Sequence, residues 1–214
     1  MPTPSPLFLT FEGLDGSGKS THLRRAAEWL GGRDVPCIMT HEPGGTPLGN
    51  ALRGVFLDRQ WGELDGRVEL LVVFASRRQH LLELIDPALA AGKHVLCDRF
   101  TDSTFAYQGR GRGVDWELIR QVDHLATGGR RPHHTLLFDL DPEEARRRGH
   151  SPSRQQAGEV DRLDIERLEF YQRAREGFLE LAAAEPERFR VIDTAGTVEA
   201  TWQQVEAFLR EVFP

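Results

Sequence analysis

Cysteine is scarce in this chain of 214 residues, which contains only Cys37 and Cys97. Two cysteines cannot build a disulfide framework or a four-ligand zinc site, and each lies in an apolar stretch. We therefore expect two buried free thiols in a reducing compartment. A chain of this length can bury a hydrophobic core without disulfides or a structural metal.

Long apolar runs and an excess of basic residues are also missing. No stretch approaches 18 consecutive apolar residues, and residues 1–6 contain three prolines and no positive charge. This pattern excludes a membrane-spanning helix and a secretory signal, and it predicts a cytoplasmic protein without a membrane partner. With 27 basic and 33 acidic residues the formal net charge is −6, which argues against a broad nucleic-acid-binding surface.

Short apolar runs alternate with longer amphipathic stretches along the chain. The runs predict strands at Leu7–Phe11, Val35–Thr40, His94–Asp98, Thr135–Leu140 and Phe189–Ile192. Helices are predicted at Lys19–Leu30, Leu48–Leu57, Arg67–Ala91, Asp102–Tyr107, Asp115–Ala126 and Asp164–Ala184, briefly after Pro142, and from Val198 onward. Strands separated by helices imply right-handed crossovers, so we expect one α/β domain, residues 1–214, with a mostly parallel sheet covered on both faces.

A phosphate-binding loop follows the first predicted strand. Residues 13–20 match G-x-x-x-x-G-K-[ST] at every fixed position. Glycines let the backbone N–H groups approach phosphate oxygens, and the N-terminus of the next helix adds positive potential. In this pattern Lys19 contacts the β- and γ-phosphates, and the Ser20 hydroxyl ligates Mg²⁺. The predicted nucleotide-binding residues are Gly13, Leu14, Asp15, Gly16, Ser17, Gly18, Lys19, Ser20 and Thr21.

A phosphate-binding loop identifies the nucleotide but not the reaction. Switch GTPases read guanine through an Asn-Lys-x-Asp segment, and the single asparagine here, Asn50, is followed by Ala51. The sequence therefore lacks the guanine-reading segment, which argues strongly against a switch GTPase. A mechanical ATPase is less easily excluded, although 214 residues leave little room for a coupled partner domain.

Four further segments carry a resemblance to a known family. They are Asp15 within the loop, His41-Glu42-Pro43-Gly44-Gly45-Thr46, Asp98-Arg99-Phe100, and Tyr107-Gln108-Gly109-Arg110-Gly111. In this order and spacing the chain resembles the thymidylate kinases of bacterial type, P-loop nucleoside monophosphate kinases. The resemblance implies a five-stranded parallel sheet, a homodimer, and transfer of phosphate from ATP to dTMP with Mg²⁺. Alternatives are a kinase for dUMP or CMP, and a nucleotide-dependent switch that catalyses no transfer.

The same resemblance assigns roles on the acceptor side. Asp15 would accept a hydrogen bond from the 3′-hydroxyl of dTMP, and Arg53 would clamp its 5′-phosphate. Arg99 would lie between the two phosphates, and Asp98 would orient Mg²⁺ through water. The remaining contacts implied for the base, the sugar and the loop are Pro43, Thr104, Tyr107 and Gln108.

A polar stretch of about residues 149–162 predicts a mobile lid that contains arginines. The phosphate-binding loop has Gly16 where some members of the family carry an arginine, and in such members the lid supplies the catalytic one. The available arginines are Arg146, Arg147, Arg148, Arg154 and Arg162, and we assign the role to Arg154.

Two departures from the family pattern remain. His41 stands where an arginine is common, so one positive charge near the phosphates is uncertain. The family also places an aromatic ring, which stacks on thymine, one helical turn before an arginine. Here the pairs Val73 with Arg77 and Phe74 with Arg78 both satisfy the spacing. An ungapped match favours Arg77 as the acceptor contact, with Phe74 as a peripheral ring.

Overall fold

The computed structural model describes residues 5–149, 162, 163 and 165–214. Five strands form one sheet: β1 (Phe8–Gly13), β2 (Cys37–His41), β3 (His94–Asp98), β4 (His134–Asp139) and β5 (Phe189–Asp193). All neighbouring pairs are parallel, in the order β2-β3-β1-β4-β5. The parallel sheet expected from the sequence is therefore confirmed. Strand β1 is buried along its whole length, as a central strand of a sheet covered on both faces should be.

Helices flank this sheet on both faces. They are α1 (Lys19–Gly31), α2 (Pro47–Leu57), α3 (Gly66–His80), α4 (Asp86–Ala90), α5 (Thr101–Thr104), α6 (Trp116–Thr127), α7 (Pro142–Gly149), α8 (Leu168–Ala184) and α9 (Val198–Val212). A short 3₁₀ turn lies at Arg59–Trp61, and π-helical turns lie at Leu81–Ile85 and Phe105–Gly111. In the part of the chain that the structure describes, no helix has both the length and the apolar character needed to cross a membrane.

Polar side chains cap the starts of several helices. The Thr46 hydroxyl accepts the Gly49 N–H at the start of α2, where Pro47 occupies the first turn. Asp65 and Asp115 cap α3 and α6 in the same way. These caps satisfy backbone donors that would otherwise lack partners, and so they set where the helices begin.

Three predicted helices differ from the structure. The helix predicted at Asp102–Tyr107 is a short α-helix, Thr101–Thr104, that continues into the π-helical turn Phe105–Gly111. The helix predicted at Asp164–Ala184 begins at Leu168 instead, because the Glu166 N–H donates to Leu163 and Arg167 is extended. The helix predicted at Arg67–Ala91 is not one regular α-helix. A π-helical turn separates α3 from α4 and shifts the phase of the side chains after His80.

The hydrophobic core lies on both sides of the sheet. On one side α1 and α9 pack against β1, β4 and β5 through residues such as Leu30, Trp202 and Phe208. On the other side α3, α6 and α8 pack around the π-helical turn that contains Tyr107. Both thiols are free, as expected, but only Cys97 is buried, since Cys37 lies on the edge strand β2 and is partly exposed.

The carboxyl ends of three strands meet at one edge of the sheet. Asp98 at the end of β3 is in register with Phe11 of β1 and with His41 of β2. The segments that follow these strands therefore come together, as expected for ligand sites in open α/β sheets. They are the phosphate-binding loop, the loop from Glu42 to Thr46, and the segment that begins at Arg99.

Candidate active site

The phosphate-binding loop connects the end of β1 to the start of α1. Gly16 and Gly18 have φ angles of 83° and 92°, in the left-handed region that favours glycine. A Cβ atom at Gly16 would also lie 2.3 Å from the Ala145 carbonyl oxygen of α7. No side chain fits at position 16 in this arrangement, so the arginine that some members of the resembled family carry here has no room.

Lys19 lies at the first position of α1 and is 4% exposed. Its Nζ donates to the Leu14 carbonyl oxygen at 2.8 Å and lies 3.8 Å from Oδ1 of Asp15. Burial and the nearby charge of Arg99 lower the pKa of Lys19. An anionic phosphate at this position would favour the charged ammonium form.

A first cleft runs along this loop. The predicted nucleotide-binding residues that line it are Asp15, Gly16, Gly18, Lys19, Ser20 and Thr21. Gly13, Leu14 and Ser17 belong to the loop but do not line the cleft. The side chain of Leu14 is in the core, and the buried Ser17 hydroxyl has no hydrogen-bond partner among the described residues.

Ser20 and Asp98, the two predicted metal-binding residues, are adjacent. The Ser20 hydroxyl donates to Oδ2 of Asp98 at 2.5 Å, at an exposed position in the first cleft. A hydroxyl and a carboxylate are hard oxygen donors, which suit Mg²⁺. Among the described residues, no group of three or more His, Cys, Asp or Glu side chains could hold a metal. Mg²⁺ usually binds with few protein ligands and completes its shell with phosphate and water, so the residues present fit this ion.

Arg99 follows β3 directly and has a φ angle of 73°. This left-handed conformation costs a non-glycine residue about 1–3 kcal/mol, and such strain often marks functional sites. One nitrogen of its guanidinium, Nη2, donates to Asp15 at 2.7 Å and to the Tyr107 hydroxyl at 3.2 Å. The other, Nη1, donates to Ser103 at 2.9 Å. Arg99 is therefore held at a fixed point beside the phosphate-binding loop.

Glu12 supports Arg99 from within the sheet. Its carboxyl group accepts the Phe100 N–H at 2.7 Å and the Ser103 hydroxyl at 2.5 Å, and Ser103 in turn accepts from Arg99. Burial, followed by the neighbouring Asp102, raises the pKa of Glu12 to about 8. Asp15 is the carboxylate that pairs directly with Arg99.

A second cavity opens next to the first cleft. The predicted acceptor contacts that line it are Asp15, Pro43, Arg53, Arg77, Arg99, Thr104, Tyr107 and Gln108. Phe74 does not line it. The structure thus brings together every predicted acceptor contact except that ring.

Arg77 lines this cavity and is almost fully buried, with 1% of its surface exposed. Its Nε donates to Oε2 of Glu42 at 2.6 Å, and its Nη2 donates to the Thr104 hydroxyl at 3.1 Å. Its Nη1 is buried and has no hydrogen-bond partner within the described part of the chain. A buried N–H donor without a partner is costly, so a ligand acceptor in the cavity would be bound strongly by it.

The two possible registers of α3 lie differently in the structure. Val73 and Arg77 line the cavity, whereas Arg78 lies on the side facing α6 and donates to the Ala126 carbonyl oxygen at 3.4 Å. The Phe74 ring packs 4.6 Å from the Arg77 guanidinium carbon and supports it there. Phe74 is therefore a neighbour of the arginine rather than part of the cavity wall.

Sequence reasoning missed several residues that line the cavity, namely Glu42, Phe56, Leu57, Phe100, Ser103 and Leu163. Phe56 could have been found from the sequence, because it lies three residues after Arg53 and so shares a face of the same helix. Leu163 carried no local signal.

Arg53 lines both clefts and donates to the Pro43 carbonyl oxygen at 3.1 Å. His41 lines the first cleft close to it. Burial, together with the charge of Arg53, lowers the pKa of His41. His41 is thus poorly suited to replace the permanent positive charge of an arginine.

The predicted lid lies almost entirely outside the described residues, and so does its proposed catalytic residue, Arg154. Arg162 is buried and pairs with Glu69 at 2.7 Å, so it is not available to a phosphate in this structure. Arg148, at the end of α7, lines the first cleft and donates to the Thr194 carbonyl oxygen at 3.0 Å.

The fold and the two adjoining clefts define a class of enzyme. A phosphate-binding loop between β1 and α1 adjoins a second cavity, and arginines line the junction. This is the arrangement of a P-loop kinase, which passes a phosphoryl group from a nucleotide to a small acceptor.

Comparison with known proteins gives the family. The family model described as Thymidylate kinase matches residues 11–205, and the chain belongs to this family. It is 46% identical over 211 residues to the thymidylate kinase of Desulfovibrio desulfuricans, covering 95% of this chain and 97% of that protein. It is 42% identical over 208 residues to that of Desulfosudis oleivorans, covering 96% of this chain and 97% of that protein.

A solved structure, that of thymidylate kinase from Ehrlichia chaffeensis, is also similar. It superposes with a TM-score of 0.75 at 34% identity, and the match covers 98% of this chain and 100% of that one. The similarity therefore extends over the whole fold and not only over the phosphate-binding loop.

Proposed function

We propose that this protein transfers the γ-phosphoryl group of ATP to the 5′-phosphate of dTMP, giving dTDP and ADP. The observation that carries the proposal is the junction of the two clefts, because Asp15, Arg53 and Arg99 line both of them. A donor phosphate on the loop and an acceptor phosphate in the second cavity would meet at these side chains. Holding two phosphates together against their repulsion requires positive charge at that point.

ATP is the donor, and its phosphates bind the loop from residue 13 to residue 21. The backbone N–H groups at the start of α1 face the phosphates, and Lys19 moves from the Leu14 carbonyl oxygen to the β- and γ-phosphates. Ser20 and Asp98 would hold Mg²⁺, which when bound neutralises the charge of the β- and γ-phosphates. In that role Asp98 acts through water.

The acceptor side divides into a phosphate, a sugar and a base subsite. Arg53 binds the 5′-phosphate, and Pro43 forms the wall behind it. Asp15 accepts the 3′-hydroxyl. The Tyr107 ring packs against C2′ of the sugar, where a 2′-hydroxyl would need space, and this disfavours ribonucleotides.

The base subsite is built around Arg77. Its unpaired Nη1 donates to a carbonyl oxygen of thymine, while Glu42 and Thr104 occupy the other guanidinium nitrogens. Gln108 is held in place by a bond from Nε2 to Glu69 at 2.9 Å. An acceptor without a carbonyl at the matching position would leave Nη1 unpaired, which favours thymine and uracil over cytosine.

In the transfer step an oxygen of the acceptor phosphate attacks the γ-phosphorus in line. The bond from the γ-phosphorus to the β–γ bridging oxygen breaks, and ADP leaves with that oxygen. Lys19 and Arg99 stabilise the charge on the passing phosphoryl group. Arg154 is the proposed lid arginine, and Arg148 is a second candidate because it lines the first cleft.

We further propose a cytoplasmic homodimer. Several large apolar side chains are about half exposed or more. They lie on α3, on α6 and on the π-helical turn after α3, and they include Val68, Leu71, Leu82 and Leu125. We infer that a second copy of the chain covers them, because α3 packs against α6 and against the π-helical turn and so brings these elements together. Sedimentation equilibrium tests the dimer, and a monomer at micromolar concentration would contradict it.

Release of ADP from ATP and Mg²⁺ tests the reaction when dTMP, dUMP, CMP and AMP are added separately. We expect dTMP to be the best acceptor and dUMP to be weaker by about one power of ten, because one methyl group in an apolar pocket is worth about 1–3 kcal/mol. Preference for CMP would indicate another monophosphate kinase. ATP binding without ADP release on any acceptor would favour a nucleotide-dependent switch.

A further inference from the structure

A buried chain of polar groups lies behind Arg77, outside the substrate contacts proposed above. Building on the proposed function, we propose that His80 is a positioning residue, which fixes the Glu42 carboxylate and through it the guanidinium of Arg77. His80 has no exposed surface, and it does not line either cleft. Its effect on the base subsite can therefore only pass through its neighbours.

The hydrogen bonds among these buried polar groups determine which atom donates and which accepts. The Nδ1 atom of His80 lies 3.0 Å from Oε1 of Glu42, and its Nε2 lies 2.6 Å from the Thr40 hydroxyl. Because a carboxylate can only accept, Nδ1 must carry the proton, and in the neutral ring Nε2 accepts from Thr40. The second carboxylate oxygen, Oε2, accepts from Arg77 at 2.6 Å.

Both oxygens of Glu42 are thus occupied by different partners on α3. His80 and Arg77 lie three residues apart and share a face of the helix. Without His80, one oxygen of a buried carboxylate would lose its donor, and the side chain would be free to rotate about its last torsion. Arg77 would then follow, since its Nε is held in the described structure by Glu42 alone.

The surrounding backbone leaves little room for other arrangements. A Cβ atom at Gly45 would lie 2.4 Å from Nε2 of His80 and 2.7 Å from the Thr40 hydroxyl oxygen. The Gly44 N–H donates to Ser76 of α3 at 3.0 Å. The loop after β2 therefore closes directly over the pair formed by His80 and Thr40, and it holds Glu42 against α3.

Positioning matters here because a binding group must be held close to its productive geometry by supporting side chains. Arg77 has a long, flexible side chain, and ordering it costs conformational entropy. If Glu42 and His80 order the Arg77 side chain before the substrate arrives, its conformational entropy is lost on folding and no longer weakens substrate binding. Loss of His80 should therefore weaken only the binding of the base of the acceptor, and not that of its sugar or phosphate.

The test measures the Kd of dTMP and of 2-deoxyribose 5-phosphate, which lacks the base, for the full-length protein. We expect His80→Phe to weaken dTMP binding about tenfold, equivalent to about 1.4 kcal/mol. Binding of 2-deoxyribose 5-phosphate and the KM for ATP should change by less than about twofold. His80→Gln, which can still donate and accept, should recover most of the loss.

A double-variant cycle with Arg77→Met separates positioning from general packing. If His80 acts through Arg77, then His80→Phe should have no further effect on dTMP binding once Arg77 is replaced. His94→Phe is the matched control, because His94 is a buried, hydrogen-bonded histidine that lines neither cleft. Additive losses in the cycle, or an equal loss for both ligands, would overturn the proposal.

Thr40→Val tests the same chain if His80→Phe does not fold. It removes the hydroxyl that donates to Nε2 of His80 and keeps the volume, and dTMP binding should weaken by about threefold. Unchanged dTMP binding in this variant would also overturn the proposal. The proposed function is judged separately on the wild-type protein, since failure to phosphorylate dTMP there would refute that function and not the link between His80 and Arg77.

Discussion

At the scale of single residues, the site contains groups that are costly to the folded protein when no ligand is bound. Arg99 has a left-handed backbone, Lys19 is buried, and Nη1 of Arg77 has no partner among the described residues. An anion compensates the buried charge of Lys19, and an acceptor compensates the unpaired N–H of Arg77, whereas the backbone strain of Arg99 is carried by the surrounding fold. Such groups are expected at positions where ligand binding, rather than the stability of the fold, requires a particular residue type.

Lys19→Ala should lower kcat by a factor of about 10² to 10³ or more, because a donor aimed at the transferring phosphoryl group is lost. The fold should remain, since Lys19 makes one hydrogen bond to a carbonyl oxygen and one long ion pair. Steady-state kinetics with circular dichroism checks both statements. Lys93→Ala, at an exposed position, is the control, and near-normal kcat in a folded Lys19 variant would remove this residue from the mechanism.

Alanine substitutions at 77 and 78 compare two neighbouring arginines of α3. Arg77→Ala should raise the KM for dTMP by about one to two powers of ten, because a charge-assisted hydrogen bond is worth about 1.5–3 kcal/mol. Arg78→Ala should leave it almost unchanged, since Arg78 contacts Ala126 away from the cavity. A large defect at 78 with little at 77 would show that the other register faces the base.

At the scale of elements, helices α2 and α3 both contribute side chains to the wall of the second cavity. The sequence has Val73 where the resembled family has an aromatic ring, and the structure places the buried ring of Phe56 in the same cavity. Phe74, the ring nearest to Val73 in sequence, packs under Arg77 instead. Helix α2 therefore supplies the aromatic surface that α3 does not.

Exchange of these two side chains tests that arrangement. Phe56→Leu should raise the KM for dTMP by about tenfold, because a ring–base contact is worth about 1–3 kcal/mol. Adding Val73→Phe to this variant should restore most of the affinity, since α3 then contributes an aromatic ring to the cavity. Phe208→Leu, in the core next to α1, controls for lost stability. An unchanged KM in the Phe56 variant would contradict the assignment.

At the scale of the whole molecule, His94 connects parts of the chain that are far apart in sequence. Its Nδ1 accepts the Leu7 N–H at 2.9 Å, where the chain enters β1, and its ring lies 4.8 Å from that of Phe213 near the other end. Burial, followed by the charge of His133, lowers the pKa of His94 below its ordinary value of 6.5. A protonated Nδ1 could no longer accept the backbone N–H.

The pH dependence of stability follows from this shift. As the pH falls through the ordinary value of 6.5, the unfolded chain binds a proton before the folded one does, so stability is lost on acidification. His94→Gln keeps an acceptor that does not titrate. Between about pH 7.5 and pH 5.5 its Tm should fall about 2–4 °C less than that of the wild type, the effect of about 1 kcal/mol.

Scanning calorimetry at several pH values measures the difference. Parallel curves for the wild type and the His94 variant would show that this bond does not contribute.

The sequence by itself predicted the parallel sheet, the phosphate-binding loop and many of the residues that line the second cavity. Strand and helix periods are local properties, and residues 13–20 form one continuous motif, so no distant contact was needed to recognise them. The segments after β2 and β3 could be placed together because parallel strands end at one edge of a sheet.

Only the tertiary structure decided which side of α3 faces the cavity and what surrounds Arg77. Glu42, Thr104 and His80 meet there from three separate segments, and Phe56, from a different helix, lines the same cavity. Helical spacing allowed two registers that differ by about 100°, and the choice between them rests on packing against β2 and α6. Such contacts join residues far apart in sequence, and no local pattern records them.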